Sequence, residues 1–158
     1  MDDLTKAHLY TRLEPEIDAL IGDLADPVAA MASVACVIKE ALPYASWVGF
    51  YRVVAPDLLR VGPYQGPLGC LEIPFHRGVC GAAARTGETQ LVPDVHAFPG
   101  HIACDDSALS EIVVPVRDTD GLLVAVMDLD SRQPAAFSEA DRAPLERIAQ
   151  RLGKAWRG

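Results

Sequence analysis

Basic residues are scarce in this chain: 14 lysines and arginines stand against 22 aspartates and glutamates, a formal net charge of −8 over 158 residues. A surface of that sign repels phosphate backbones and anionic headgroups, so neither nucleic acid nor a membrane surface is an expected partner. Long apolar runs are absent too. No stretch approaches the roughly 20 residues needed to cross a bilayer. The opening Met1-Asp2-Asp3-Leu4 lacks the basic-then-apolar order of a secretion signal, so the expected location is cytoplasmic. Paired metal-binding spacings are missing as well, with no Cys-x-x-Cys and no His-x-x-x-His. His96, His101, Cys104 and Asp105 or Asp106 are chemically competent zinc ligands, but their spacing matches no common structural zinc pattern. No metal is expected, and the two histidines read as residues that order their loop. There is no internal repeat and no low-complexity tract.

What the chain does have is apolar material: 50% of its residues are hydrophobic and only 23% are charged. That is enough for a real core, and the length suits one domain spanning residues 1–158. Leu13, Ile17, Leu20, Ile21, Leu24, Val28, Met31, Ala35, Ile38 and Leu42 recur every three or four positions, as on a helix that buries one face. Asp26-Pro27 interrupts them with a capping side chain and a residue suited to a first helical turn. Two helices are therefore predicted, over about 4–24 and 27–41.

Strand character begins at Trp47-Val48-Gly49-Phe50-Tyr51-Arg52-Val53-Val54, which is β-branched and aromatic. Leu58 to Gly62 and Cys70 to Ile73 are shorter strand candidates, separated by a loop over Gly62-Pro63-Tyr64-Gln65-Gly66-Pro67. Gly78 to Thr86 suits a brief helix stopped by Gly87. A long irregular segment between Val92 and Ser110 has the length of a functional loop. Glu111 to Val116 and Leu122 to Leu129 read as a hairpin around Asp120-Gly121. Ser138-Glu139-Ala140-Asp141 opens a final helix that buries Leu145, Ile148, Leu152 and Trp156. This order predicts an α+β domain, an antiparallel sheet with helices on one or both faces.

Chemistry concentrates in the thiols and in three acids. In a reducing compartment cysteines serve catalysis, metal binding or burial more often than structural disulfides. Cys36, amid Ala35, Val37 and Ile38, reads as a buried packing residue. Cys70, Cys80 and Cys104 sit at or near loops. Cys80 and Cys104 are expected to be partly exposed, with Cys80 near a helix start that would lower its thiol pKa. Three unconnected, semi-buried thiols are the plainer alternative. Glu111, Asp128 and Asp130 lie in apolar strand sequence, and Asp128 and Asp130 share a face. Either these acids are buried, where one held protonated can act as an acid or bind a ligand ammonium, or they stand at strand ends facing water.

Several segments together resemble a known family: Trp47-Val48-Gly49-Phe50-Tyr51, Gly62-Pro63-Tyr64-Gln65-Gly66, Arg77-Gly78-Val79-Cys80-Gly81, Asp94 through Asp105, Ser110 through Pro115, and Asp128-Leu129-Asp130-Ser131. They resemble the free methionine-(R)-sulfoxide reductases, single GAF-domain enzymes, over nearly the whole chain, and Cys70, Cys80 and Cys104 fit that family's three-cysteine pattern. His76 departs from it, standing where a small residue is expected. The resemblance implies a GAF-like six-stranded antiparallel sheet flanked by helices, often a homodimer, with no metal or organic cofactor. It also implies that free methionine (R)-sulfoxide is the substrate and Cys104 the nucleophile. Cys70 would be the resolving thiol, with Cys80 a second resolver or relay, and thioredoxin or a similar dithiol the reductant. Glu111, Asp128 and Asp130 would hold the polar ends of the substrate, and Trp47 and Tyr51 would wall its methyl-thioether end. Two other functions remain open on the residues: a non-catalytic GAF sensor of a small molecule, and a redox sensor whose cysteines change its oligomeric state.

Overall fold

The computed structural model describes residues 1–101, 104 and 106–157. Two helices come first, α1 (Asp3–Ile21) and α2 (Pro27–Ala41), followed by β1 (Trp47–Ala55), β2 (Leu58–Gln65) and β3 (Glu72–Pro74). Helix α3 (Gly78–Thr86) leads to β4 (Gln90–Val92) and a 3-10 turn over Val95–Ala97. The hairpin of β5 (Ser110–Arg117) and β6 (Leu123–Ser131) precedes α4 (Glu139–Gly153) and a 3-10 turn at Lys154–Trp156. The strands form one six-stranded sheet in the order β3-β2-β1-β6-β5-β4, and every neighbouring pair is antiparallel.

Local chemistry explains most boundaries. The Asp26 carboxylate accepts from the amides of Val28 and Ala29, and Pro27 fills the first turn of α2, as the sequence predicts. Ser138 and Asp141 form the reciprocal cap of α4. α1 ends at Ile21 rather than Leu24 because Gly22 turns the chain with φ 43°. β2 runs to Gln65, through the segment predicted to be loop. Its register against β1 shifts between Gly49 and Tyr51, and that bulge accommodates Pro63, which has no amide to give a regular ladder. β3 starts at Glu72, so Cys70 precedes the strand instead of opening it.

Strand alternation splits the interior into two layers. On one face Val48, Phe50, Ile112, Val114, Met127 and Leu129 pack against α1, α2 and α4. On the other, Trp47, Tyr51, Val113 and Val126 face α3 and the loops beside it. The first layer is almost wholly apolar, with one exception at its edge. Lys6, 2% exposed, bonds Asp141 Oδ2 at 2.6 Å, while Tyr10 and Tyr44 donate to Asp141 Oδ1 at 2.9 and 2.6 Å. The second layer holds the polar cavity. Among the described residues no helix is long and apolar enough to cross a membrane.

Candidate active site

Glu111 stands opposite Asp130 across the β5–β6 ladder, and Trp47 stands opposite Asp130 across β6–β1. Two residues further on, Asp128 lies between Val113 and Gly49. Alternation therefore presents Glu111, Asp128, Asp130, Trp47 and Tyr51 to one face. All five line a single cavity, together with Cys80 from α3 and Cys104 from the loop before β5.

The aromatic wall depends on glycine. The Trp47 ring stacks on Tyr51 and on Tyr64, at centroid distances of 5.7 and 5.1 Å, and its indole N–H donates to the Pro67 carbonyl at 3.0 Å. A Cβ on Gly49 would stand 2.6 Å from the Trp47 ring, so only a bare backbone lets the indole lie there. Gly69 does the same for the covering loop, where a Cβ would come within 3.0 Å of the Tyr51 hydroxyl and 3.2 Å of Trp47.

Helix α3 is drawn equally close. At Gly81 a Cβ would lie 2.7 and 2.8 Å from the carbonyl oxygens of Phe75 and Pro74. That approach sets Cys80 above the acids, its Sγ donating to Glu111 Oε1 at 3.9 Å. Cys80 is buried, not partly exposed as expected. The expected drop in its pKa from the helix start is also reversed. Burial pushes the thiol well up, and the charges of Asp128, Glu111 and Asp130 add to the effect. A helix end contributes a fraction of a charge, whereas three carboxylates surround this sulfur.

Glu111 and Asp128 are buried, so they do not face water from strand ends. Burial, then the charges of Asp128 and Asp130, push the Glu111 carboxyl well above its ordinary range. Burial also pushes Asp128 up, to about 6, against the opposing pull of hydrogen bonds with Glu111 and Cys80. Its Oδ1 is buried with no hydrogen-bond partner. Tyr51 is pushed up by burial and then by Asp128, so its hydroxyl keeps its proton.

Cys70 and Cys104 are joined in a disulfide, with Cα atoms 5.2 Å apart across 34 residues of sequence. Two of the three loop thiols are thus connected, and Cys70 meets the cavity through its bond to Cys104. Asp105, a candidate ligand on sequence, lies outside the described residues. His101 lines the cavity, with Nδ1 buried and unpartnered. His96 is exposed and meets the His101 ring edge-on at 6.2 Å. His76 is exposed, away from the cavity lining. Cys36 is half-buried on α2 rather than fully packed. Leu68, Ile73 and Ala108 also line the cavity, and the sequence does not single them out; apolar residues in or beside short loops carry no local signal that they face a ligand.

A sheet with a thiol- and acid-lined cavity on one face and three helices on the other defines the class, and the GAF domain family matches residues 25–157. The free methionine-R-sulfoxide reductase of Escherichia coli (strain K12) is 35% identical over 151 residues, 96% of this chain and 90% of its own length. The crystal structure of the Neisseria meningitidis free methionine-R-sulfoxide reductase, in complex with its substrate, superposes with a TM-score of 0.91 at 45% identity, covering 99% of this chain and 91% of that one. The reduced form of the Staphylococcus aureus enzyme gives 0.88 at 37%, covering 94% and 95%. The chain belongs to the free methionine-R-sulfoxide reductase family of GAF proteins.

Proposed function

We propose that the protein reduces free methionine (R)-sulfoxide to methionine with its own thiols, and that a thioredoxin-type dithiol restores them. The observation that carries this reading is the Cys70–Cys104 disulfide at a cavity lined by raised-pKa acids and an aromatic wall. A sulfoxide sulfur accepts a thiolate only when its oxygen is hydrogen-bonded or protonated. Glu111, held protonated by burial, supplies that donor. Asp128 and Asp130, on the same face, supply negative charge for the substrate's ammonium. Trp47 and Tyr51 take the methyl-thioether end, where a flat apolar surface suits a polarisable sulfur.

In the reaction Cys104 attacks the substrate sulfur, oxygen passes to the enzyme, methionine leaves and Cys104 becomes a sulfenic acid. Cys70 then attacks that sulfur, water departs, and the disulfide results. Two electrons have moved from the two thiols to the sulfoxide. An external dithiol returns them by exchange. Cys80 suits the attacking role less than Cys70, because burial and the acids keep its proton in place. It is a hydrogen-bonding neighbour of Glu111.

Chiral analysis of racemic free methionine sulfoxide, incubated with the protein and a dithiol reductant, tests the reading. The wild type consumes the R form and spares the S form, while Cys104→Ser consumes neither. Survival of both forms with demonstrably reduced wild-type thiols would leave a ligand-sensing GAF domain in place of the enzyme.

A further inference from the structure

The cavity has a second chemical identity. Cys80, Glu111 and Asp128 each offer one donor atom, and these atoms lie within 4.8 Å of one another with all three residues buried. A tetrahedral zinc ion would hold sulfur at about 2.3 Å and carboxylate oxygen at about 2.0–2.2 Å, which separates its donors by roughly 3.4–3.8 Å. The donors, within 4.8 Å of one another, stand about 1 Å wider than that spacing. Asp128, only 4% exposed, lines the cavity, and its Oδ1 is buried with no hydrogen-bond partner, an acceptor that a bound cation would satisfy.

We propose that Cys80, Glu111 and Asp128 form a three-ligand site for one thiophilic divalent cation of the zinc class, which competes with substrate for the cavity. The competition rests on the reading of this cavity as the sulfoxide site. The donor set argues for the class of ion. One sulfur with two oxygens suits zinc and its cobalt or cadmium stand-ins, whereas calcium and magnesium take oxygen ligands in greater number. Three protein ligands leave a fourth position open toward the cavity, as in zinc sites that exchange a ligand. On binding, Cys80 and Glu111 each release a proton to solvent and ligate as thiolate and carboxylate, beside the Asp128 carboxylate. No oxidant or reductant takes part. The ion is distinct from the set His96, His101 and Cys104 considered on sequence, in which the Cys104 sulfur is committed to its disulfide.

The test uses cobalt(II), whose bond to a thiolate gives a charge-transfer absorption. Two proteins leave Cys80 as the sole thiol: Cys36→Ser with the disulfide intact, and a Cys36→Ser, Cys70→Ser, Cys104→Ser variant that cannot turn over. Both should develop the band at one cobalt per chain and lose it to zinc. Cys80→Ser in either background should abolish it, and Glu111→Gln or Asp128→Asn should weaken cobalt binding tenfold or more, with circular dichroism confirming the fold. In the triple variant the (R)-sulfoxide should displace cobalt while the (S)-sulfoxide, an equal chelator in solution, should not. A band that survives Cys80→Ser, or no band in either protein, overturns the cation site, even if the wild type consumes the sulfoxide. A band that neither sulfoxide displaces overturns the competition, and stereoselective turnover then decides separately whether the enzymatic reading stands.

Discussion

Trp47 lies across Gly49, two positions along the same strand, so closely that a Cβ on Gly49 would stand 2.6 Å from its ring. The pair ties backbone to function, because the indole that Gly49 admits is the one that walls the cavity beside Asp130.

Gly49→Ala should therefore displace the indole and Tyr64 beside it, whose Cβ on β2 would stand closer still to the added methyl. The overpacking costs about 1–3 kcal/mol of stability. The larger consequence falls on the sulfoxide, whose KM should rise about tenfold, equivalent to ~1.4 kcal/mol of binding. Urea unfolding and steady-state kinetics measure the two effects separately. An unchanged KM in a folded Gly49→Ala protein would remove Trp47 from the substrate wall.

The bond between Cys70 and Cys104 predicts how turnover fails when Cys70 is lost. Cys70→Ser keeps the nucleophile, so each chain should release one methionine and stop with a sulfenic acid that dimedone traps on Cys104. Turnover with a thioredoxin-type reductant should fall on the order of tenfold or more, since the disulfide the reductant uses no longer forms. Wild-type rates in Cys70→Ser would assign resolution to another thiol.

Much of this site is legible in the sequence, and the features that are not share a cause. Alternation alone puts Trp47 and Tyr51 on one face and Asp128 and Asp130 on one face, because a strand's period depends on nothing distant. The resemblance of the long loop singles out Cys104. Neither source reveals that Cys80 is buried, because its environment is made by β5 and β6, some 30 and 50 residues away in sequence. β2 continues through Pro63 because a bulge against β1 accommodates it, and that is a property of the pair rather than of the segment. β4, at three residues, is too short to show a period. Lys6 reads in sequence as one more polar residue on α1. Its partner is 135 residues away at the start of α4, and no local pattern announces such a pairing.

That partnership makes Lys6 a strong test of the fold. Besides Asp141, its ammonium donates to the Ala136 carbonyl at 2.6 Å and lies over the Tyr44 ring, 4.8 Å from the centroid. Lys6→Met should leave the Asp141 carboxylate buried without its cation and cost about 3–5 kcal/mol, far more than an exposed pair such as Arg60–Glu72. Lys6→Met combined with Asp141→Leu should recover part of the loss, although α4 also forfeits its cap. Urea unfolding of the single and double variants decides; a loss below about 1 kcal/mol for Lys6→Met would mean that water reaches Asp141.

The cavity acids should make stability fall as pH rises, opposite to an ordinary salt-bridged carboxylate. Asp128 has a folded pKa of about 6, against about 3.9 in an unfolded chain. Between those values the folded protein holds a proton that the unfolded chain releases, so rising pH favours unfolding. The cost is absent below the unfolded value, accumulates through the window and is complete above the folded one. Glu111, shifted in the same direction, extends the window upward. Asp128→Asn removes the charge and should gain on the wild type by roughly 1–3 kcal/mol between about pH 4 and pH 7. Urea midpoints of both proteins across that range provide the measurement. A difference that stays constant with pH would show that Asp128 ionises in the folded protein as readily as in water; its charge would then stand beside Glu111 from about pH 4 upward and push that carboxyl further toward its protonated form.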